Sequence, residues 1–137
     1  MEKSKITKIG VYGSLLSGLG NHGLLSYQMK EGNAVLVGED TIKGFDLYAV
    51  SSFPGIKRSE DPTKEVKVEI YEVNEIALDR VRGLEGYSPL SDRNTFYDEV
   101  QTPSNDHGEI SVYLYMPQVH EESLVPNGDW RDYKSIR

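Results

Sequence analysis

The chain has 137 residues, no cysteine, and 15 Lys plus Arg against 22 Asp plus Glu, a formal charge of -7. Such a length suits a single domain, residues 1–137, around one core, and 37% hydrophobic with 27% charged residues is the composition of a folded globular protein. The acidic balance argues against nucleic acid or an anionic membrane as partner, and the lack of cysteine excludes disulfides, thiolate metal sites and a Cys nucleophile.

Residues 6–12 read as a first strand that ends at Gly13. The apolar stretch Ile9 to Leu16, broken by Gly10 and Gly13, is too short for the apolar region of a signal peptide, and no other segment is long enough to span a bilayer. A cytoplasmic protein is the expectation, with monomer as the default state. A polar, Gly-rich stretch follows from Gly13 to Gly23. Strand-like runs then recur at residues 34–38, 42–50 and 66–73. In the last of these, Val66, Val68 and Ile70 alternate with Lys67, Glu69 and Tyr71, the period-2 pattern of a half-buried strand. Ser51 to Ile56 reads as a turn, and residues 57–65 as a charged loop. Two more strands are expected at residues 96–100 and 110–116, joined by the turn-rich segment Pro103 to Gly108.

One helix is expected, from Asn74 to about Leu84. Asn74 is a good N-cap and Glu75 sits in the first turn, where a carboxylate is favoured. Ala77, Leu78, Val81 and Leu84 fall on one apolar stripe, and Glu85, four residues after Val81, projects from within it. Burial of a carboxylate is costly without a partner, so an inward Glu has a raised pKa, a partner or a chemical task. Gly83 weakens the helix and leaves a second reading open, in which the helix stops there and Glu85 is a solvated loop residue.

The Gly-rich stretch does not match a nucleotide-binding loop. Gly13 and Gly18 have P-loop spacing, but Leu19 stands where the Lys is needed and Gly20 where the hydroxyl is needed. Gly13 instead allows close approach of a ligand to the backbone, and the amides that follow it could cradle an anion. His22, His107 and His120 have no metal-ligand spacing, so no metal and no cofactor are expected, and His107 reads as a surface turn residue.

Three ordered blocks resemble the γ-glutamylcyclotransferase-like family, which includes the γ-glutamylamine cyclotransferases and AIG2-like proteins. The first runs from Val11 through Tyr12-Gly13-Ser14-Leu15 to Asn21-His22 and Leu25. The second is Leu78-Asp-Arg-Val-Arg-Gly-Leu-Glu85-Gly-Tyr87. The third is Val112-Tyr-Leu-Tyr115 followed by Asn127-Gly-Asp-Trp-Arg-Asp-Tyr133, and Phe53-Pro-Gly55 matches a turn common in the family. The resemblance covers nearly the whole chain. It implies an α+β fold, a small mixed β-barrel with flanking helices, and an enzyme that needs no cofactor. It also implies a substrate-binding set of Tyr12, Gly13, Ser14, Leu15 and Tyr115, with the amides after Gly13 holding the α-carboxylate of a γ-glutamyl amine or peptide. Glu85 would take a proton from the glutamyl α-amine, which attacks its own γ-carbonyl, and return it to the departing amine as 5-oxoproline forms. The released amine stays open among lysine side chains of isopeptide fragments, glutathione-type peptides and biosynthetic intermediates. A non-catalytic ligand-binding or interaction module of the same fold is the alternative. Trp130 and Tyr133 read as packing for the C-terminal tail.

Overall fold

The computed structural model describes residues 5–88 and 96–135. Its elements in chain order are β1 (Thr7–Val11), α1 (His22–Lys30), β2 (Ala34–Lys43), β3 (Phe45–Ala49), β4 (Pro54–Arg58), β5 (Glu65–Val73), α2 (Glu75–Glu85), β6 (Tyr97–Pro103), β7 (Glu109–Tyr115), β8 (Leu124–Val125) and α3 (Trp130–Ser135). No helix among the described residues is long and apolar enough to cross a membrane.

The strands form one mixed eight-stranded sheet in the order β2-β5-β1-β7-β4-β3-β8, with β6 paired to β7. β7 lies at the branch. One of its edges carries β6 in antiparallel register from Tyr97↔Tyr115 to Pro103↔Glu109. The other pairs in parallel with β1 near Ser111 and with β4 near Leu114. The β6–β7 turn reaches β2 through a single bridge, Ile42↔Ser104, so the sheet curls over the core without closing. The α+β class holds, whereas the barrel expected from the family resemblance is an open, coiled sheet.

β5 is more deeply set than its alternation suggests. It lies between β1 and β2, and from Val68 to Tyr71 every residue is buried. The second face is covered there by the Gly-rich loop and by α3, so Glu69 points into protein rather than water. Gly44, with φ at 85°, breaks the single strand expected over residues 42–50 into the ends of β2 and β3. The turn expected from Ser51 to Ile56 is shorter, since β4 begins at Pro54 and pairs with β3. α1 has no counterpart among the sequence expectations. Its only fully buried residues are Leu25 and Gln28, too few to print a helical stripe.

α2 follows expectation at its start and extends past it at its end. The Asn74 side chain accepts from the Ala77 amide at 3.1 Å, and Asn74 is tied to Asn33 at the end of α1 through Nδ2 at 2.7 Å. Gly83 stays inside the helix. Termination falls to Gly86 in the left-handed region (φ 69°), where the Tyr87 amide donates back to the Arg82 carbonyl at 2.9 Å. Ala77, Leu78 and Val81 are buried as expected. Leu84 is not: at 40% exposure it stands at the edge of the stripe, while Glu85 lies between Leu78 and Val81 on the wheel.

Candidate active site

The loop after β1 is built from reciprocal backbone bonds. The Leu16 amide donates to the Gly13 carbonyl at 2.9 Å, and the Asn21 amide closes onto the Ser14 carbonyl at 2.9 Å. Asn21 Nδ2 also donates to Ser14 Oγ at 2.8 Å, which leaves the Ser14 hydroxyl proton free to be donated elsewhere. His22 Nδ1 lies 3.0 Å from the Leu15 carbonyl. These bonds curl residues 13–16 so that, among the described residues, the amides of Gly13, Ser14 and Leu15 have no hydrogen-bond partner. Gly13 is required by the close approach of β4, because a Cβ there would stand 2.8 Å from Pro54 Cγ.

Facing this loop is a small, narrow cavity of about 40 Å³. Its walls are the end of β1 and the loop to Leu15, Phe53 and Pro54, the aromatic residues Tyr97 and Tyr113, and Glu85. Among the described residues Glu85 is the only charged one on these walls, and no hydrogen bond or ion pair joins its carboxyl to another of them. Burial lifts its pKa from the usual carboxylate range to about 7. The neighbouring cation does not relieve it. Arg82, one turn earlier on α2, is committed to Glu99 through Nε at 2.8 Å and Nη2 at 2.7 Å. Tyr113 Oη donates to the same Glu99 at 2.6 Å, so Glu99, although buried, is held below the ordinary range.

The phenols around the cavity are neutral donors held by burial. Tyr12 Oη donates to the Tyr113 carbonyl at 2.6 Å and Tyr97 Oη to the Pro54 carbonyl at 2.9 Å. Burial raises both, and the Glu85 charge pushes in the same direction. Of the residues singled out from sequence, Tyr12, Gly13, Ser14, Leu15 and Glu85 meet at this one cavity. Tyr115 lies behind it. Its ring packs edge-on against Tyr97 with centroids 5.4 Å apart and against Phe53 at 6.3 Å, over Gly55, where a Cβ would come within 2.5 Å. The tyrosines on the wall besides Tyr12 are Tyr97 and Tyr113. The sequence carries a signal for Tyr113, which shares a strand face with Tyr115 at period 2. Tyr97 has none, because its place depends on the β6–β7 register.

A second buried carboxylate lies on the far side of the loop. Glu69 accepts from the Ser17 amide at 2.8 Å, from the Ser17 hydroxyl, from Arg131 Nη2 at 2.9 Å and from Tyr71 Oη at 3.1 Å. Arg131, from α3, also donates to the Ser17 carbonyl at 2.9 Å. This cluster pins the loop from behind. His107 is likewise more than a surface turn residue, since its Nδ1 stands 2.6 Å from the buried Asp40. Trp130 is buried and stacks on Tyr133 at 5.2 Å, in keeping with a packing role. No group of His, Asp or Glu among the described residues has the arrangement of a metal site.

Comparison with known proteins agrees with this architecture. The family described as Gamma-glutamyl cyclotransferase, AIG2-like matches residues 9–132. A Citrobacter rodentium relative named Gamma-glutamylcyclotransferase family protein ytfP is 30% identical over 125 residues, 91% of this chain and 96% of the relative. Among solved structures, a Pyrococcus horikoshii protein superposes with a TM-score of 0.72 at 23% identity, covering 95% of this chain and 94% of its own. An AIG2-like protein from Mus musculus superposes with a TM-score of 0.66 at 21% identity, covering 91% and 88%. These two share the fold. The match over nearly the whole chain makes this protein a member of the γ-glutamyl cyclotransferase, AIG2-like family.

Proposed function

We propose that the protein is a γ-glutamyl cyclotransferase that converts a γ-glutamyl amine into 5-oxoproline and the free amine, with Glu85 as general base and then general acid. The observation that carries this reading is Glu85 itself: a carboxylate with no partner among the described residues, in a small cavity, its pKa raised by burial to about 7, opposite a turn of amides that likewise have none there. A group poised near neutrality can both accept and return a proton.

The chemistry asks for little else. The glutamyl α-carboxylate sits against the amides of Gly13, Ser14 and Leu15 and the Ser14 hydroxyl, with Tyr12 forming the floor. The free α-amine attacks the γ-carbonyl carbon of the same molecule. As the new C–N bond forms, one amine proton passes to the Glu85 carboxylate. The old C–N bond then breaks, and Glu85 gives that proton to the departing nitrogen, leaving lactam and neutral amine. The nucleophile comes with the substrate, so no protein nucleophile is called for. Ring closure is intramolecular, and holding the glutamyl chain curled supplies several kcal/mol of the barrier reduction. Tyr115 acts at one remove, by setting the ring of Tyr97.

The test is release of 5-oxoproline from γ-glutamyl-lysine, γ-glutamyl-alanine and glutathione by the wild type beside Glu85→Gln. Release that disappears in the variant is the expected result. A folded wild type that releases none from any γ-glutamyl compound would overturn the reading in favour of a binding module.

A further inference from the structure

The loop from Gly13 to Asn21 stands between two spaces. Gly13, Ser14 and Leu15 line the cavity that holds Glu85, whereas Leu16 lines a separate cleft on the other side, together with Glu69 and Arg131. Neither Glu69 nor Arg131 lines the cavity. On the cleft side the loop already binds one carboxylate: Glu69 accepts from the amide of Ser17 at 2.8 Å and from its hydroxyl. On the cavity side it offers amides to a second, the α-carboxylate of the glutamyl group in the reaction proposed above.

Like charges on opposite sides of one backbone turn repel, and burial sharpens the repulsion because little water lies between to screen it. Glu69 is 4% exposed, and its hydrogen bonds hold it below the ordinary carboxylate range despite burial, so its charge stays in place when substrate enters. Among the described residues, Arg131 is the one cation within ion-pair distance of it, with Nη2 at 2.9 Å. The same Nη2 donates to the Ser17 carbonyl at 2.9 Å and lies 3.2 Å from Ser17 Oγ. One guanidinium, 114 residues further along the chain, therefore cancels the charge behind the turn and fixes the residue that follows it. Its other acidic contact, Glu39 at 3.8 Å from Nη1, is 76% exposed and competes little.

Resting on the binding of the glutamyl α-carboxylate at this turn, we infer that Arg131 is a positioning residue for that carboxylate, acting through Ser17 and Glu69 without touching substrate. The α-carboxylate keeps its place while the α-amine closes on the γ-carbonyl, so its contacts are alike in ground and transition state. Loss of Arg131 should then appear in KM and spare kcat, the opposite of what removal of Glu85 should do.

Arg131→Gln keeps a donor for Ser17 and removes the charge. With the γ-glutamyl compound that wild type cleaves best, its KM should rise about tenfold with kcat within about twofold. Arg131→Lys restores the charge and should bring KM back to within about threefold of wild type. The double variant Glu69→Gln/Arg131→Gln removes both charges and should show a lower KM than Arg131→Gln alone, a rescue that a purely structural role would not produce. Ser17 is partly exposed, and Ser17→Ala should raise KM several-fold with kcat kept; it decides the matter where Arg131→Gln does not fold. A KM unmoved in the folded variants, a loss confined to kcat, or a double variant no better than the single one would overturn the inference and leave the cyclotransferase standing. No release by wild type would instead remove the reaction itself, and the inference with it.

Discussion

Glu69 and Glu85 are two inward-facing glutamates on opposite sides of one loop, and their surroundings differ in every respect that matters. Glu69 receives hydrogen bonds from Ser17, Arg131 and Tyr71, and although burial pulls its pKa upward the bonds prevail and hold it below the ordinary range. Glu85 has burial and, among the described residues, no bond to offset it. The first arrangement is what a fold does with a carboxylate it needs for cohesion. The second disfavours the charged form and costs stability, an arrangement that fits the chemical role proposed for Glu85. The contrast also shows why burial of charge alone does not identify a site: Glu99, half-buried and paired with Arg82 and Tyr113, belongs with Glu69.

The largest expected effect separates the two by activity. Glu85→Gln keeps shape and removes the proton acceptor, so 5-oxoproline release should fall by about 10²–10⁴-fold or more. In the wild type, kcat/KM should lose about an additional factor of ten per pH unit below about pH 7, as Glu85 takes up its proton. A profile without a break in that region would show that Glu85 is not the base.

Stability should separate them in the opposite sense. Glu69→Gln takes from Arg131 its close carboxylate partner, leaving only the exposed Glu39 at 3.8 Å, weakens the grip on Ser17, and should destabilise the fold by about 2–3 kcal/mol. The figure stands low in the range for a buried pair because Arg131 keeps contact with water, at 39% exposure. Because the folded-state pKa of Glu69 is depressed, its contribution is present above the ordinary carboxylate range and lost as pH falls through the folded value. Urea unfolding at pH 7 and pH 4 would check this: the gap between Glu69→Gln and wild type should narrow at the lower pH.

Glu85→Gln should do the reverse. A pKa raised to about 7 means that the neutral form suits the fold, so the Glu85 contribution is complete below the unfolded value and declines as pH rises through 7. The variant should therefore match wild type near pH 4 and exceed it at pH 8 by up to about 3 kcal/mol, the shift of pKa expressed as free energy. An inactive variant that is also more stable at pH 8 would be hard to explain unless Glu85 is kept charged for function. A destabilised variant would mean that the carboxylate has a structural partner after all.

How far this contrast can be read without coordinates depends on the range of the interactions. Glu85 is legible because its position follows from helix period and from Leu78 and Val81, all local. The Tyr12-Gly-Ser-Leu15 loop is legible as a Gly-rich break after a strand. Glu69 reads as the outward member of an alternating strand, and nothing local reveals that Arg131, 62 residues later, folds over it. Tyr97 reaches the cavity only because β6 pairs with β7 in one register, so that it stands opposite Tyr115. α1 escapes notice because only Leu25 and Gln28 of its residues are buried, too few to form an apolar stripe.

The smallest expected effect concerns the helix that carries Glu85. Gly83 has helical geometry, is exposed, and has open space where a Cβ would stand. Gly83→Ala should therefore stabilise α2 by about 1 kcal/mol through lower backbone entropy in the unfolded chain. It changes no charge and does not line the cavity, so it tests mobility separately from electrostatics. In the proposed reaction Glu85 faces the α-amine first and the departing nitrogen afterwards, two positions on either side of one carbonyl carbon. If its carboxyl covers that span by side-chain rotation alone, Gly83→Ala should raise the thermal midpoint and leave kcat as it was. If the last turn of α2 must yield as well, the same variant should lower kcat while the pH break near 7 stays in place, and Gly83 would then belong to the catalytic cycle rather than to a tolerated weakness of the helix.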